Sequence, residues 1–286
     1  MGGAVFGGVV SMGVVSMGVV SMIRRLLPAL TVLVVIGVVG GLVLWPRYSA
    51  YRERHRTVAP NSSLAAQCRP AGIEVPQSAR RIVLDAADGT KLGGAVVGSA
   101  QARTAVVLRQ GAGQRICQWL DFADRLSRET GVRVVLFDRR GRGSSPGDQN
   151  LSLEPGDTQT AVAWASEHGA SRIVLLASSM GNSVMYAALP QVDPKPCGIV
   201  SISPVLTSGD AHGTVDGTHP QGLPERLAAV YEEPLAGNVD TIAQAAEAEG
   251  VEVVRHPIET SDHSLQLLVN HEDAQRFVID QVRGCA

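Results

Sequence analysis

One stretch, residues 172–189 (RIVLLASSMGNSVMYAAL), constrains the fold of this chain more than any other. It begins with an unbroken apolar run at residues 173–176, which has the length and composition of a strand buried on both faces. Small residues follow, and after Gly181 the composition is that of a helix. The stretch therefore predicts a buried strand, a tight turn and a helix, with Ser179 at the tip of the turn.

The residue types around Ser179 are those of a nucleophile elbow. Ala177 and Gly181, two residues before and two after Ser179, are small enough for a sharp turn and for close packing of the helix on the strand. The Ser179 hydroxyl would lie at the head of the helix, where the helix dipole and the Met180 amide favour developing negative charge. Small residues also occur in ordinary β–α turns, so the assignment depends on the rest of the chain.

Strand and helix patterns alternate from residue 80 to the end of the chain, after a hairpin pattern at residues 81–97. Apolar runs separated by stretches of helical spacing occur at residues 104–108, 132–137, 173–176, 198–203, 227–231 and 251–255. This alternation predicts an α/β fold with a mostly parallel central sheet and helices on both faces. Residues 204–224 are predicted to be a loop, and residues 264–282 one closing helix.

Unusual loops follow the predicted strands, at the sheet edge where α/β proteins place their active sites. Residues 110–113 (QGAG) follow the third strand, and residues 138–144 (DRRGRGS) follow the fourth. His263 lies between the last strand and the last helix. With the turn around Ser179, these loops come in an order that resembles the α/β-hydrolase fold family, and the resemblance covers residues 80–286.

The resemblance implies a catalytic triad and an oxyanion hole. Ser179 would be the nucleophile and His263 the base that takes its proton. The backbone amides of Met180 and Ala112 would bind the oxyanion, with Gly113 as the alternative to Ala112. The acid is expected after the last strand but one, where Glu233 is the first choice, followed by Glu232, Asp240 and Asp210.

The implied activity is that of a carboxylesterase-like serine hydrolase, which cleaves an ester, thioester or amide bond through an acyl-enzyme without a cofactor. The alternative is a non-catalytic protein of this fold that binds an acyl or peptide ligand. Two departures favour the alternative: Gln110-Gly111 replaces the family's frequent His-Gly, and the acid loop has no aspartate. Residues 204–224 are too few for a large lid domain, which predicts an open pocket for a small-molecule or acyl substrate.

The N-terminal part of the chain predicts attachment to a membrane. Residues 1–22 are an extension that contains three tandem copies of GVVSM. Residues 23–46 are predicted to be a signal-anchor, because residues 26–45 carry no charge and are numerous enough to cross a bilayer. A cleaved signal peptide is the alternative, but residues 48–50 match a cleavage site poorly.

The orientation of this predicted anchor depends on opposing signals. Arg24 and Arg25 precede it, and Arg47, Arg52, Arg54 and Arg56 follow it. Residues 47–79 are predicted to be a polar linker to the α/β-hydrolase domain at residues 80–286. The positive-inside rule favours a cytoplasmic domain. An N-terminal signal-anchor after Arg24 and Arg25 favours the opposite side, and we predict an extracytoplasmic catalytic domain.

The chain has four cysteines, which permit two disulfides in three connectivities: Cys68, Cys117, Cys197 and Cys285. Buried free thiols are the alternative. Disulfides would favour the extracytoplasmic location, because they persist only outside the cytoplasm. The cysteines lack the CxxC spacing of zinc sites, so no metal site is predicted.

Composition argues against partners of other classes. A net charge of −2 and few aromatic residues disfavour nucleic acid. Residues 111–113 (GAG) lack the third glycine of a dinucleotide-binding loop, since Ile116 occupies that position. The arginines at residues 139–142 are predicted to form a turn behind the active site, with Asp138 in a structural role. No pattern indicates an oligomeric state.

Overall fold

The computed structural model describes residues 57–286, which form one large sheet, a small hairpin and helices on both faces of the sheet. The hairpin pairs β7 (Thr207–Asp210) with β8 (Gly213–Asp216). The strands of the large sheet are β1 (Ala79–Asp85), β2 (Lys91–Val97), β3 (Thr104–Arg109), β4 (Arg133–Phe137), β5 (Arg172–Ser178), β6 (Gly198–Ile202), β9 (Leu227–Glu232) and β10 (Val253–Ile258).

The large sheet is mostly parallel, as the alternation of strand and helix patterns predicts. Its order is β1-β2-β4-β3-β5-β6-β9-β10, and only the β1–β2 and β2–β4 pairs are antiparallel. The central strands β3, β4 and β6 are buried along their whole length, because helices cover both faces. This burial explains why these strands are continuous apolar runs rather than alternating patterns.

The sheet divides the core into two parts, one between each face and the helices that cover it. The helices are α1 (Leu64–Cys68), α2 (Ile116–Thr130), α3 (Glu154–Glu167), α4 (Gly181–Ala188), α5 (Ala236–Ala248), α6 (Leu265–Asn270) and α7 (Glu272–Arg283). One core contains Trp119 of α2 and Val278 of α7, and the other contains Val162 of α3 and Ile242 of α5. Among residues 57–286, no helix combines the length and the apolar character that a membrane crossing requires.

The N-terminal predictions fall mainly on residues that the structure does not describe. The repeat, the predicted signal-anchor and the linker up to residue 56 lie outside the described residues. The rest of the predicted linker is folded against the domain, since α1 packs Leu64 and Cys68 into the core. The mixed polarity of residues 64–68 gives no helical pattern, so the sequence did not predict this short helix.

The structure differs from the predicted elements at two places near the carboxyl edge. The segment 204–224 contains the β7–β8 hairpin, and Val215 of β8 packs against Met180 and Val184. The closing helix is interrupted at His271, which has extended backbone angles (φ −123°, ψ 102°) between α6 and α7. The His271 ring lies 3.0 Å from the carboxylate of Asp262, nine residues earlier, a contact that a helical pattern does not reveal.

Gly181 is the first residue of α4 and allows this helix to approach β3 closely, which yields a stability prediction. A Cβ at this position would lie 2.4 Å from the carbonyl oxygen of Arg109. We expect Gly181→Ala to lower the free energy of unfolding by about 1–3 kcal/mol, because the backbone of β3 has to move. Urea denaturation of the wild type and the variant measures the difference.

Gly156→Ala is the matched control for this substitution. Gly156 lies in α3, and a Cβ there would meet no atom within 4 Å. Its replacement should leave the unfolding free energy unchanged or raise it by up to about 1 kcal/mol, since alanine favours the helix. If both variants unfolded at the same urea concentration, the close approach at Gly181 would not restrict this position to glycine.

Candidate active site

Ser179 lies in the turn between β5 and α4, at the carboxyl edge of the sheet. Its φ of 53° falls in the left-handed region, which non-glycine residues rarely adopt. The Ser179 N–H donates to the carbonyl of Ile202 at 2.9 Å, and the Ser179 carbonyl accepts from Asn182 N–H at 3.0 Å. These bonds to β6 and α4 hold the strained turn and fix the direction of the hydroxyl.

Two further serines near Ser179 have the same strained backbone. Ser203 (φ 46°) follows β6, and Ser264 (φ 61°) follows His263. Within residues 57–286, these three serines are the only non-glycine residues with positive φ. Such strain persists where the surrounding structure strongly restrains the chain, and it is concentrated at functional sites.

The His263 ring lies between the Ser179 hydroxyl and a carboxylate. Its Nε2 is 2.7 Å from Ser179 Oγ, and its Nδ1 is 2.5 Å from Glu232 Oε1. In the neutral ring with a proton on Nδ1, Nδ1 donates to the carboxylate and Nε2 accepts from the hydroxyl. The Glu232 side chain is 7% exposed and that of His263 is 44% exposed, so the hydroxyl end of this chain of contacts faces solvent.

The carboxylate at the ring belongs to Glu232, which corrects the first choice of the sequence analysis, Glu233. Glu232 is the last residue of β9, and its side chain is buried beside His263. Glu233 begins a 3₁₀ turn (Glu233–Leu235) and is exposed. Neighbouring residues at a strand end point in different directions, so an error of one position in the strand end exchanges the two carboxylates.

The remaining two acid candidates have other partners in the described structure. Asp240 forms an exposed ion pair with Arg255, at 2.5 Å. The Asp210 carboxylate accepts a hydrogen bond from the backbone N–H of Leu151, at 2.9 Å. Glu232 is thus the candidate that the structure brings to His263.

Both oxygens of Glu232 are hydrogen-bonded, and this determines its charge. Burial raises the pKa of the carboxyl, but the hydrogen bonds from His263 and Ser203 outweigh burial and lower the pKa below its ordinary value. The Ser203 hydroxyl donates to Oε2 at 2.7 Å and accepts from the Ser264 N–H at 2.8 Å. Glu232 is therefore a carboxylate at neutral pH and orients the imidazole.

We expect Ser203→Ala to lower the unfolding free energy by about 1–3 kcal/mol at pH 7, because a carboxylate loses one hydrogen bond. A lowered pKa in the fold means that the Glu232 charge stabilises the protein above the unfolded pKa, and that this contribution is lost as the pH falls through the folded pKa. Loss of the Ser203 donor raises the folded pKa. The contribution should then be smaller and should disappear at a higher pH.

Urea denaturation between about pH 3 and pH 7 measures this shift. Ser171→Ala is the control, since Ser171 is exposed and lies before β5, at the other end of the sheet. Stability curves for Ser203→Ala and the wild type that run parallel across this range would contradict the role of the Ser203 hydroxyl.

The loop at residues 110–113 passes directly against Ser179. A Cβ on Gly111 would lie 2.9 Å from the Ser179 Cβ, so the approach requires glycine. Gln110, where the family often has histidine, is buried and donates from Nε2 to the Phe137 carbonyl at 2.6 Å. Gln110 thus anchors the loop to the end of β4.

The backbone amides of Ala112 and Met180 are candidate oxyanion donors. The N–H groups of Ala112 and Met180 form no hydrogen bond with another residue in the range 57–286. The Gly111 N–H, in contrast, donates to Gln114 Oε1 at 2.9 Å. Ala112 and Met180, the two donors that the resemblance implies, therefore keep their amides available for a ligand.

Gln114 connects the loop at residues 110–113 to the loop that carries His263 and Ser264. Its Nε2 donates to Ser264 Oγ at 2.9 Å, and Ser264 Oγ lies 2.6 Å from Ser178 Oγ. Its Oε1 also accepts from Trp119 Nε1 at 3.1 Å. No sequence pattern indicated Gln114, Ser203 and Ser264, because single polar residues beside predicted loops carry no recognisable spacing.

The loop after β4 has a structural role, as the sequence analysis expects for Asp138. The buried carboxylate accepts from the backbone N–H groups of Ile116 and Ser144 at 2.9 and 2.8 Å. The arginines beside it form ion pairs with the first turn of α3, namely Arg139 with Glu154 and Arg140 with Asp157, each at 2.7 Å. These contacts hold the loops behind the site.

One disulfide is present among the described residues. Cys68 of α1 is bonded to Cys117 of α2, which ties α1 to the start of α2. Cys197 and Cys285 are free thiols. Of the two disulfides that the sequence permits, the structure thus contains one.

The chain is similar to one protein-family model and to solved structures of the same fold. A family model described as serine aminopeptidase, S33, matches residues 100–232. No curated protein matches the chain. Solved structures do match, at sequence identities that inform only about the fold.

Three of these structures illustrate the likeness. The esterase Pf2001 of Pyrococcus furiosus has 15% identity and a TM-score of 0.60, over 80% of this chain and 96% of that one. EstE5, soaked by p-nitrophenyl butyrate, has 14% identity and a TM-score of 0.59, over 82% and 94%. EstE1, a thermophilic carboxylesterase from a metagenomic library, has 18% identity and a TM-score of 0.58, over 75% and 90%.

Proposed function

We propose, from the premise that this chain has the α/β-hydrolase fold, that it is a serine hydrolase that cleaves ester bonds. Ser179, His263 and Glu232 would form its catalytic triad. The observation that carries the proposal is the continuous contact from the Ser179 hydroxyl through the His263 ring to the Glu232 carboxylate. The strained backbone at Ser179 and the amides of Ala112 and Met180, which have no partner within residues 57–286, add support.

The geometry suits an acyl-enzyme route. His263 Nε2 takes the proton as Ser179 Oγ attacks the carbonyl carbon, and Glu232 stabilises the imidazolium. The amides of Ala112 and Met180 donate to the oxyanion. The imidazolium then protonates the departing alcohol, which leaves the acyl group on Ser179. Water attacks this ester with His263 again as base, and the carboxylic acid departs with regeneration of the hydroxyl.

We expect the substrate to be an ester of a small acyl group. The matched structures include esterases and a carboxylesterase, and one of them was soaked with p-nitrophenyl butyrate. Within this chain, only the short β7–β8 hairpin occupies the segment between β6 and β9, where many proteins of this fold carry a lid. The family description, serine aminopeptidase, makes an amide substrate the second possibility to test.

A fluorophosphonate probe tests the proposed nucleophile directly. We expect the probe to label the wild-type protein on the peptide that contains Ser179, and to block hydrolysis of p-nitrophenyl butyrate. Parallel assays with a thioester and with an aminoacyl p-nitroanilide identify the preferred bond. A folded protein that is neither labelled nor active on these substrates would favour the non-catalytic ligand-binding alternative.

We propose that the hydrolase domain is extracytoplasmic and attached to a membrane through residues 23–46. The Cys68–Cys117 disulfide supports the location, because such bonds persist outside the cytoplasm. The anchor itself remains a prediction from the sequence.

Extraction of cell membranes at alkaline pH should leave the full chain in the membrane fraction. Protease added to intact cells whose outer layer has been made permeable should degrade the chain. Release of the chain from the membrane would contradict the anchor, and protection of the chain from the protease would contradict the extracytoplasmic location.

A further inference from the structure

Two cysteines that the proposed reaction does not use lie beside each other at the opposite end of the sheet from Ser179. Cys197 precedes β6, and Cys285 follows α7. Cys285 lies in the hydrophobic core, Cys197 packs against the same cluster, and the Cys197 thiol donates to the Ile173 carbonyl at 3.2 Å. A Cβ on Gly198 would lie 2.9 Å from the Cys285 sulfur, which shows how closely the C-terminus packs against the start of β6.

The surroundings of the two thiols differ, and this makes one of them the better nucleophile. The neighbouring Cys285 thiol and the nearby Arg172 guanidinium lower the pKa of Cys197 to about 7. The neighbouring Cys197 and burial raise the pKa of Cys285. Cys197 is partly exposed, whereas Cys285 is buried. An accessible thiolate beside a buried thiol is the arrangement of an attacking and a resolving cysteine.

We propose that Cys197 and Cys285 form a second, reversible disulfide by exchange with a small-molecule or protein disulfide. The Cys197 thiolate attacks one sulfur of the oxidant, whose S–S bond breaks and releases one thiolate. Cys285 then loses its proton and attacks the Cys197 sulfur, which releases the second thiolate. Two protein thiols are oxidised, and one disulfide of the oxidant is reduced to two thiols.

This bond would attach the C-terminus to the start of a central strand. The closed loop contains β6, β9 and β10 together with Glu232 and His263. Such a loop restricts the unfolded chain, so the oxidised form should unfold at a higher temperature than the form with free thiols. The proposal is independent of the hydrolase activity, because the cysteines lie at the amino end of β6 and the Ser179–His263 contact lies at the carboxyl edge.

The test uses the full chain, purified without reductant and equilibrated with oxidised glutathione. After denaturation and alkylation with N-ethylmaleimide, we expect no modified Cys197 or Cys285 and a cross-linked peptide that joins them. Mild reduction with reduced glutathione should expose these two thiols and lower the melting temperature, while Cys68–Cys117 stays intact. Cys285→Ser should instead accumulate a stable glutathione adduct on Cys197, and Cys197→Ser should retain an alkylatable Cys285.

Three outcomes would overturn the proposal. In the first, both thiols of the wild type remain alkylatable after treatment with the oxidant. In the second, Cys197 carries glutathione and no cross-link forms. In the third, either cysteine is found bonded to Cys68 or Cys117. Peptide mapping identifies each outcome even if a variant folds poorly, since the wild-type protein alone distinguishes them.

Discussion

Replacement of Ser179 by alanine is expected to lower kcat for p-nitrophenyl butyrate by about 10⁴–10⁶-fold, because no acyl-enzyme can form. Ser179 Oγ is the group in contact with His263 Nε2, at 2.7 Å. The fold should be preserved, since the bonds that hold the strained turn come from the Ser179 backbone. The measurements are steady-state kinetics and thermal unfolding.

His263→Ala should reduce kcat to a similar extent, and the Ser179→Ala/His263→Ala double variant should lose little more. Groups that act as a unit in one step have strongly non-additive effects. His212→Ala is the control, because His212 is exposed at the turn between β7 and β8. If Ser179→Ala folded normally and kept more than about one hundredth of the activity, the proposed nucleophile would be excluded.

Glu232→Gln is expected to lower kcat by about 10³–10⁴-fold with a smaller change in KM. An amide cannot stabilise the imidazolium, and it does not hold the required tautomer of the ring. The shape of the side chain is retained, and the Ser203 hydroxyl that contacts Oε2 in the wild type can still donate to the amide oxygen. The variant should therefore fold, and circular dichroism and urea denaturation check this.

Glu233→Gln is the matched control at the next position. Glu233 is exposed at the start of a 3₁₀ turn, so its neutralisation should leave kcat and KM unchanged within about twofold. The opposite result, a large loss in Glu233→Gln and a small one in Glu232→Gln, would restore the first choice of the sequence analysis. Equal losses in both variants would indicate a general charge effect rather than a specific contact.

The sequence by itself determined the layout of the domain and two of the three proposed triad residues. Continuous apolar runs such as residues 173–176 identify buried parallel strands, because burial on both faces removes the alternation of half-buried strands. Ser179 follows from small residues at fixed short distances along the chain. His263 follows from its place after the last strand. Both depend on local pattern or chain order, which a sequence contains.

Only the tertiary structure shows which carboxylate contacts His263, which residues support that contact and how the cysteines pair. Glu232 and Glu233 are adjacent and chemically identical, and only the end of β9 determines which one meets the ring. Gln114 contacts Ser264 across most of the domain's length in sequence. Cys68 likewise could pair with any of three cysteines until α1 is placed against α2. Such contacts depend on packing between distant segments, and the order of residues along the chain does not encode them in any local pattern.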